Sequence, residues 1–257
     1  SRYDGQSFVT YTEQDGLVSN WLWDVLVDRS KAVWVASEGD GVSRWHGDRF
    51  TTFLQDQDQI SSIVADGEGR LWFAGPTGAV SHWDGSAIAR SEAGQFPDIL
   101  SGAAAADGIW FGDSDGQAAR YTDGHFEVLS LETMHPRRAV ESIAVDEEAN
   151  VWFSTHGEGV RRWDGQRLSV FGVADGLASQ RVTAILVDRE GILWFGTADA
   201  GVTRYDGGGF TPMGGSPDIA RARTVLEARD GALWIGTAGS GLLRRQHGVE
   251  TIYTVAD

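Results

Sequence analysis

His156 and Glu158 stand two positions apart in Thr155-His156-Gly157-Glu158, a spacing that lets an extended segment point an imidazole and a carboxyl to one side as an acid–base pair. Arg181, Arg221 and Arg223 offer a second kind of chemistry, because each guanidinium is a fixed fork of donors for carboxylate, sulfate or sugar oxygens. Glu141, Glu158 and Asp218 are the carboxylates that could instead occupy those forks. Trp21 and Trp23, outside the repeated tryptophan column, present aromatic faces suited to the apolar face of a pyranose, although Trp23 could equally fill a gap between packed strands. Paired acids at Asp56 and Asp58 and at Asp113 and Asp115 suggest calcium, but neither fits a twelve-residue EF-hand loop. Asp-Gly at Asp4, Asp84, Asp123, Asp164 and Asp206 reads as turn chemistry. The chain has no cysteine, no second histidine close to His156, and no HExxH or phosphate-binding glycine loop, so neither a metal nor another cofactor is expected.

These residues sit on a chain of 257 residues with net charge −16, which would repel a bare polyanion and argues against nucleic-acid binding. No apolar stretch approaches the ~20 residues needed to cross a bilayer, and Ser1 opens directly on polar sequence. Thirty-four glycines and eleven tryptophans instead point to many tight turns and large aromatic anchors.

A repeat positions the candidates. Trp34, Trp72, Trp110, Trp152, Trp194 and Trp234 each open a run such as Leu-Trp-Phe-Gly-Thr, at spacings of 38, 38, 42, 42 and 40. An apolar run and an acidic turn precede each tryptophan; a glycine-rich loop and two further strand-like runs follow it. Four short strands per ~40 residues is the pattern of propeller blades, in which the tryptophans fill the layers between neighbours. The expectation is one all-β domain over residues 1–257, a six-bladed β-propeller of four-stranded antiparallel blades. Arg2-Tyr3-Asp4-Gly5 and Phe8-Val9-Thr10-Tyr11 match the two outer strands of a blade whose inner pair is absent. Residues 1–12 could therefore close the ring by joining the last inner strands, and seven blades or a piece of a longer propeller remain open readings.

Aligned on tryptophan, Trp21, Gln59, Ala139, Arg181 and Arg221 form one column and Trp23, Ser61, Glu141, Thr183 and Arg223 another, separated by an apolar column. Repetition breaks in these polar columns, where the inner strands begin. They are the expected place for recognition, at the mouth of an axial funnel together with the loop bearing His156 and Glu158.

The combination of Leu-Trp-Phe-Gly-Thr, a glycine loop, Arg-Tyr-Asp-Gly and Phe8-Val9-Thr10-Tyr11-Thr12-Glu13-Gln14-Asp15-Gly16-Leu17 resembles the two-component regulator propeller repeat family. That resemblance implies the periplasmic or extracellular sensor portion of a bacterial signalling protein, often a hybrid histidine kinase, several of which respond to carbohydrate breakdown products. It predicts a non-catalytic propeller that binds a carbohydrate or anionic small molecule, with the output domain and signal sequence absent from this chain and no membrane contact of its own. Two other readings stand beside it: a protein-interaction scaffold, with Arg244, Arg245 and His247 as a contact, and a metal-dependent enzyme resembling streptogramin lyases, whose strands carry a related Asp-x-x-Gly-x-Trp-Phe pattern. The ending expected of such lyases is replaced here by Ser154-Thr155 and Gly196-Thr197.

Overall fold

The computed structural model describes residues 1–38, 41–54, 59–90, 96–131, 138–213 and 221–254. Of the carboxylates singled out in the sequence, Asp56, Asp58 and Asp218 lie outside them. The chain divides into two compact units, Ser1–Asp113 with Ala119–Leu129 and Ser114–Ala118 with Ser130–Asp257.

A two-stranded sheet, β1 (Arg2–Tyr3) and β2 (Phe8–Val9), comes first. Six four-stranded antiparallel blades of a β-propeller follow. The first three are β3 (Leu22–Val27), β4 (Val33–Ser37), β5 (Val42–Trp45), β6 (Phe50–Phe53); β7 (Ser62–Ala65), β8 (Leu71–Ala74), β9 (Val80–Trp83), β10 (Ile88–Arg90); and β11 (Ile99–Ala105), β12 (Gly108–Asp113), β13 (Gln117–Thr122), β14 (His125–Ser130). The last three are β15 (Val140–Val145), β16 (Val151–Thr155), β17 (Gly159–Trp163), β18 (Leu168–Phe171); β19 (Val182–Val187), β20 (Leu193–Thr197), β21 (Gly201–Tyr205), β22 (Phe210–Met213); and β23 (Ala222–Glu227), β24 (Leu233–Thr237), β25 (Leu242–Gln246), β26 (Val249–Tyr253). The last blade is completed by its own β25 and β26, while β1–β2 remains a separate two-stranded sheet.

The acidic turn does more than reverse the chain. In four blades the turn aspartate lies six residues before the tryptophan and accepts its indole N–H: Asp28 from Trp34 at 2.9 Å, Asp66 from Trp72 at 2.9 Å, Asp146 from Trp152 at 2.7 Å and Asp188 from Trp194 at 2.7 Å. The same carboxylates accept the backbone N–H four residues on, so one side chain closes the hairpin and satisfies the aromatic anchor. The Asp-Gly turns between third and fourth strands are closed by the aspartate alone. Asp84 accepts the N–H groups of Ala87 and Ser86, which hold its carboxyl down at about 2, and Asp4, Asp164 and Asp206 are lowered by backbone donors in the same way. Geometry thus accounts for these pairs without an ion.

Within the first unit Trp34, fully buried, packs with Ala36 and Val42 against Ile63, Leu71 and Phe73 of the next blade. Within the second unit Trp152, also fully buried, meets Phe171 of its own blade and Phe195 and Tyr205 of the next, at ring centroids of 5.5, 5.7 and 5.3 Å. Of the remaining repeat tryptophans Trp110 is buried, whereas Trp72, Trp194 and Trp234 are half-buried, so the expectation of a uniform tryptophan core holds in part.

Candidate functional site

The second unit gathers most of the residues singled out in the sequence. Thr183 Oγ1 donates to the Ala222 carbonyl at 2.7 Å, and the Ile185 N–H donates to Ser142 Oγ at 3.0 Å. These bonds tie β15, β19 and β23 side by side, so Glu141, Arg181, Arg221 and Arg223 share the end where the inner strands begin. The loop from β16 to β17 joins them there. His156 bridges Arg181 backbone to backbone, its N–H donates to the Ala139 carbonyl at 3.0 Å, and the Gly159 N–H donates to the Gln180 carbonyl at 2.8 Å. Gly159 also lies against the end of β18: its φ is +77°, and a Cβ there would lie 2.2 Å from the Phe171 carbonyl oxygen.

His156 and Glu158 do not act together. His156 Nδ1 hydrogen-bonds the Glu141 carboxylate, with the imidazole about half exposed. The Glu158 side chain turns inward and pairs with Arg161 Nη2 at 2.8 Å, both side chains buried. Arg161 completes its donor set on the Glu158 carbonyl at 2.7 Å, the Leu131 carbonyl at 3.2 Å and Thr155 Oγ1. Two residues of an extended loop can face one way only if the loop stays extended; here Gly157, at φ +77°, reverses it. Glu158 is thus a structural carboxylate, and Arg161, which sequence reasoning passed over as one of two strand arginines, is its partner. A signal was available: the positions equivalent to Arg161 hold Ser43, Ser81, Ala119, Thr203 and Leu243, all buried.

Arg181 pairs with neither of the described carboxylates offered as alternative partners, Glu141 and Glu158. Its guanidinium lies 3.6 Å from Asp199, with both side chains about half exposed. Arg221 and Arg223 are exposed and have no ion-pair partner among the described residues. The corner therefore presents an imidazole–carboxylate pair, one loosely paired guanidinium and two solvated ones. It can accept oxygen-rich or anionic groups by charge-assisted hydrogen bonds. Among the described residues no group of three or more histidines and carboxylates is placed to hold a metal ion.

Trp21 and Trp23 belong to the first unit, 74% and 60% exposed. A separate cleft of about 510 Å³ lies in that unit, where hairpin turns of the second and third blades meet; Trp72, His82, Tyr121, Arg70 and Glu68 line it, and none of the predicted site residues does. There Arg70 is held by Asp66 at 2.7 Å and Glu68 at 3.3 Å, and the His82 ring lies 4.8 Å from Trp72.

Fold and site together define a β-propeller whose polar, non-repeating groups sit where inner strands begin. Residues 176–199 match the family model of the two-component regulator propeller, and the chain carries that family's repeat. No curated protein matches the chain in sequence. Among solved structures it is similar to virginiamycin B lyase from Staphylococcus aureus, with 16% identity over 91% of this chain and 84% of that one and a TM-score of 0.77. A structure of streptogramin B lyase is similar at 16% identity, 91% and 83% coverage and a TM-score of 0.75. The extracellular domain of a protein described as the hybrid two component system BT3049 from B. thetaiotaomicron matches at 16% identity and a TM-score of 0.54, over 93% of this chain and 41% of that one. At such identities these likenesses are to the fold. Among the described residues no helix is long and apolar enough to cross a membrane.

Proposed function

We propose that the chain is a non-catalytic sensor propeller that binds a carbohydrate or an anionic small molecule and passes the signal to an output domain outside these residues, with the propeller itself in the periplasm or outside the cell. The observation that carries the reading is the corner of the second unit where His156 bridges Arg181: side chains that differ from blade to blade converge there on a framework that otherwise repeats. Arg181, Arg221 and Arg223 supply fork donors, and His156 with Glu141 supplies a donor–acceptor pair for sugar hydroxyls. The family of the repeat at 176–199 and the likeness to an extracellular two-component domain support a sensing role. The test is a thermal-shift and calorimetric screen of uronate, sulfated and neutral oligosaccharides. Binding that Arg181→Ala and His156→Ala weaken supports the proposal; saturable binding indifferent to both removes this site from it.

The second reading is an enzyme, favoured by the hydrogen bond between His156 and Glu141, a pairing that general-base catalysis uses. Chromatography of the same incubations distinguishes the two, because a sensor returns its ligand unchanged. A scaffold for a protein partner is separated by its failure to bind any small ligand in the screen.

A further inference from the structure

The cleft between the second and third blades lies where the repeat is broken three times. In three other places the residue after the first turn position reaches across to the turn of the next blade: Arg29 donates to the Gly67 carbonyl at 2.5 Å, the Glu147 carboxyl lies against Gly191, and Arg189 donates to the Arg229 and Ala228 carbonyls at 2.9 and 3.0 Å. The second blade has Gly67 there and no side chain to send across. The first hairpin of the third blade encloses only residues 106 and 107 between the paired Ala105 and Gly108, whereas that of the second encloses 66–70 between Ala65 and Leu71. The third break is on the third strand. The repeat tryptophan faces an arginine in the pairs Trp34–Arg44, Trp152–Arg162, Trp194–Arg204 and Trp234–Arg244, but Trp72 faces His82.

The seam between the first two blades shows what the replaced side chain does elsewhere. The Arg44 guanidinium lies over Trp34 at 5.1 Å and over Trp83 of the next blade at 6.0 Å, with Asp28 at 4.0 Å, and the two indoles are 5.7 Å apart. Between the second and third blades Trp72 and Tyr121 keep that 5.7 Å spacing. The third strand presents only the shorter His82, whose ring lies 4.8 Å from Trp72. Arg70 reaches Trp72 from the turn at 5.4 Å, but Asp66 and Glu68 hold and neutralise it. We infer that this cleft, of about 510 Å³, binds a small organic cation, a guanidinium or primary ammonium on a short aliphatic stem, in the place that the repeat elsewhere gives to its own arginine. The charge lies against the aromatic pair, and the stem packs on Ala105, Ala106 and Ile109. Unspent polar groups meet it. Asp84, Asp164 and Asp206 commit their carboxylates to turn N–H groups, whereas Asp123, with φ +50°, lines the cleft and accepts no hydrogen bond among the described residues. Tyr121 is 7% exposed, and its hydroxyl, like both ring nitrogens of His82, has no hydrogen-bond partner among those residues. Three carboxylates, Asp66, Glu68 and Asp123, line the cleft against two guanidiniums, Arg70 and Arg90, and the net charge of −16 draws cations toward it.

The probe is n-butylguanidinium, titrated into the full chain by calorimetry, with n-butylurea as the neutral isostere and pentanoate as the anion. Saturable binding of n-butylguanidinium is expected, with n-butylurea about tenfold weaker and pentanoate showing none. Asp123→Asn weakens the cation about fivefold. His82→Arg restores the arginine of the repeat, and Gly67→Arg restores the bridge at a position where a Cβ meets nothing within 4 Å. Each abolishes binding without lowering the unfolding midpoint. Arg181→Ala and Arg223→Ala leave it unchanged, which separates this cleft from the site proposed in the second unit. The inference fails if n-butylguanidinium does not saturate, or if n-butylurea or pentanoate binds as tightly. It fails equally if binding survives His82→Arg and Gly67→Arg in folded protein, because net charge alone then holds the cation.

Discussion

Arg161→Met is the sharpest test of the division between framework and recognition in the second unit. The side chain of Arg161 is 3% exposed and that of its partner Glu158 is 7% exposed. The guanidinium donates to the Leu131 and Glu158 carbonyls and to Thr155 Oγ1 besides the carboxylate. Methionine fills much of the volume but leaves a buried carboxylate without its charged partner, a change that costs about 3–5 kcal/mol. For a chain of this length that lowers the unfolding midpoint by roughly 6–20 °C. Glu158→Gln keeps an acceptor for Arg161 and loses only the charge-assisted part, about 1.5–3 kcal/mol. The double variant removes both charges and falls short of the sum, giving a coupling of about 1–3 kcal/mol. Urea titration followed by far-ultraviolet circular dichroism measures all three, and calorimetry with the best ligand of the screen is run in parallel. A cost for Arg161→Met below about 1 kcal/mol, or ligand affinity lost in Glu158→Gln with stability intact, would show Glu158 to be a binding group and refute the structural assignment.

Three further perturbations probe the blades. Burial raises the Asp24 carboxyl to about 6, against a usual value near 4, so the folded state holds its proton more tightly and stability falls as pH rises from about 4 to 6; Asp24→Ser, the residue at the equivalent Ser62 and Ser142, is expected to gain about 1–2 kcal/mol at pH 7 after allowing for partial solvation and nothing below pH 4, read from denaturant midpoints across that range. Asp84 has the opposite sign, since the N–H groups of Ala87 and Ser86 lower its carboxyl to about 2 and its contribution disappears as pH falls from about 4 toward 2; Asp84→Asn flattens that limb of the stability profile, and an unchanged limb contradicts the assignment. Asp146→Ala removes the acceptor of the Asn150 N–H and of the buried Trp152 indole, costing about 2–3 kcal/mol with faster amide exchange in the 146–150 turn; a neutral substitution would mean that the indole bond is dispensable.

The blades were legible because their determinants are local and repeat. Asp28 and Trp34 belong to one hairpin, their indole bond spans six residues, and the same spacing returns at Asp66, Asp146 and Asp188. The shortened turn of the third blade keeps a weaker version at 3.4 Å from Trp110 to Asp107, and the last blade has Ala228 at the position, with Asp230 given over to Arg244. The column of polar residues at the starts of inner strands was visible for the same reason, as an interruption of a pattern. Partner choice within it was not. His156 reaches Glu141 across a strand pair and Glu158 turns to Arg161 because Gly157 reverses the loop, outcomes decided by backbone geometry that spacing does not encode. Val25 has the same residue type as the buried Ile63, Ile143, Ile185 and Val225 of its column, so its 63% exposure is not readable from spacing.

Recognition is proposed to reside in the non-repeating corner of the second unit. Isothermal titration of the strongest ligand from the oligosaccharide screen into wild type, Arg181→Ala, Arg223→Ala and the framework control Arg204→Ala tests it most directly. Arg181→Ala and Arg223→Ala are each expected to weaken affinity at least tenfold, equivalent to about 1.4 kcal/mol, with ligand recovered intact and Arg204→Ala unchanged. Equal affinity across all four proteins, or conversion of the ligand during the titration, would contradict it.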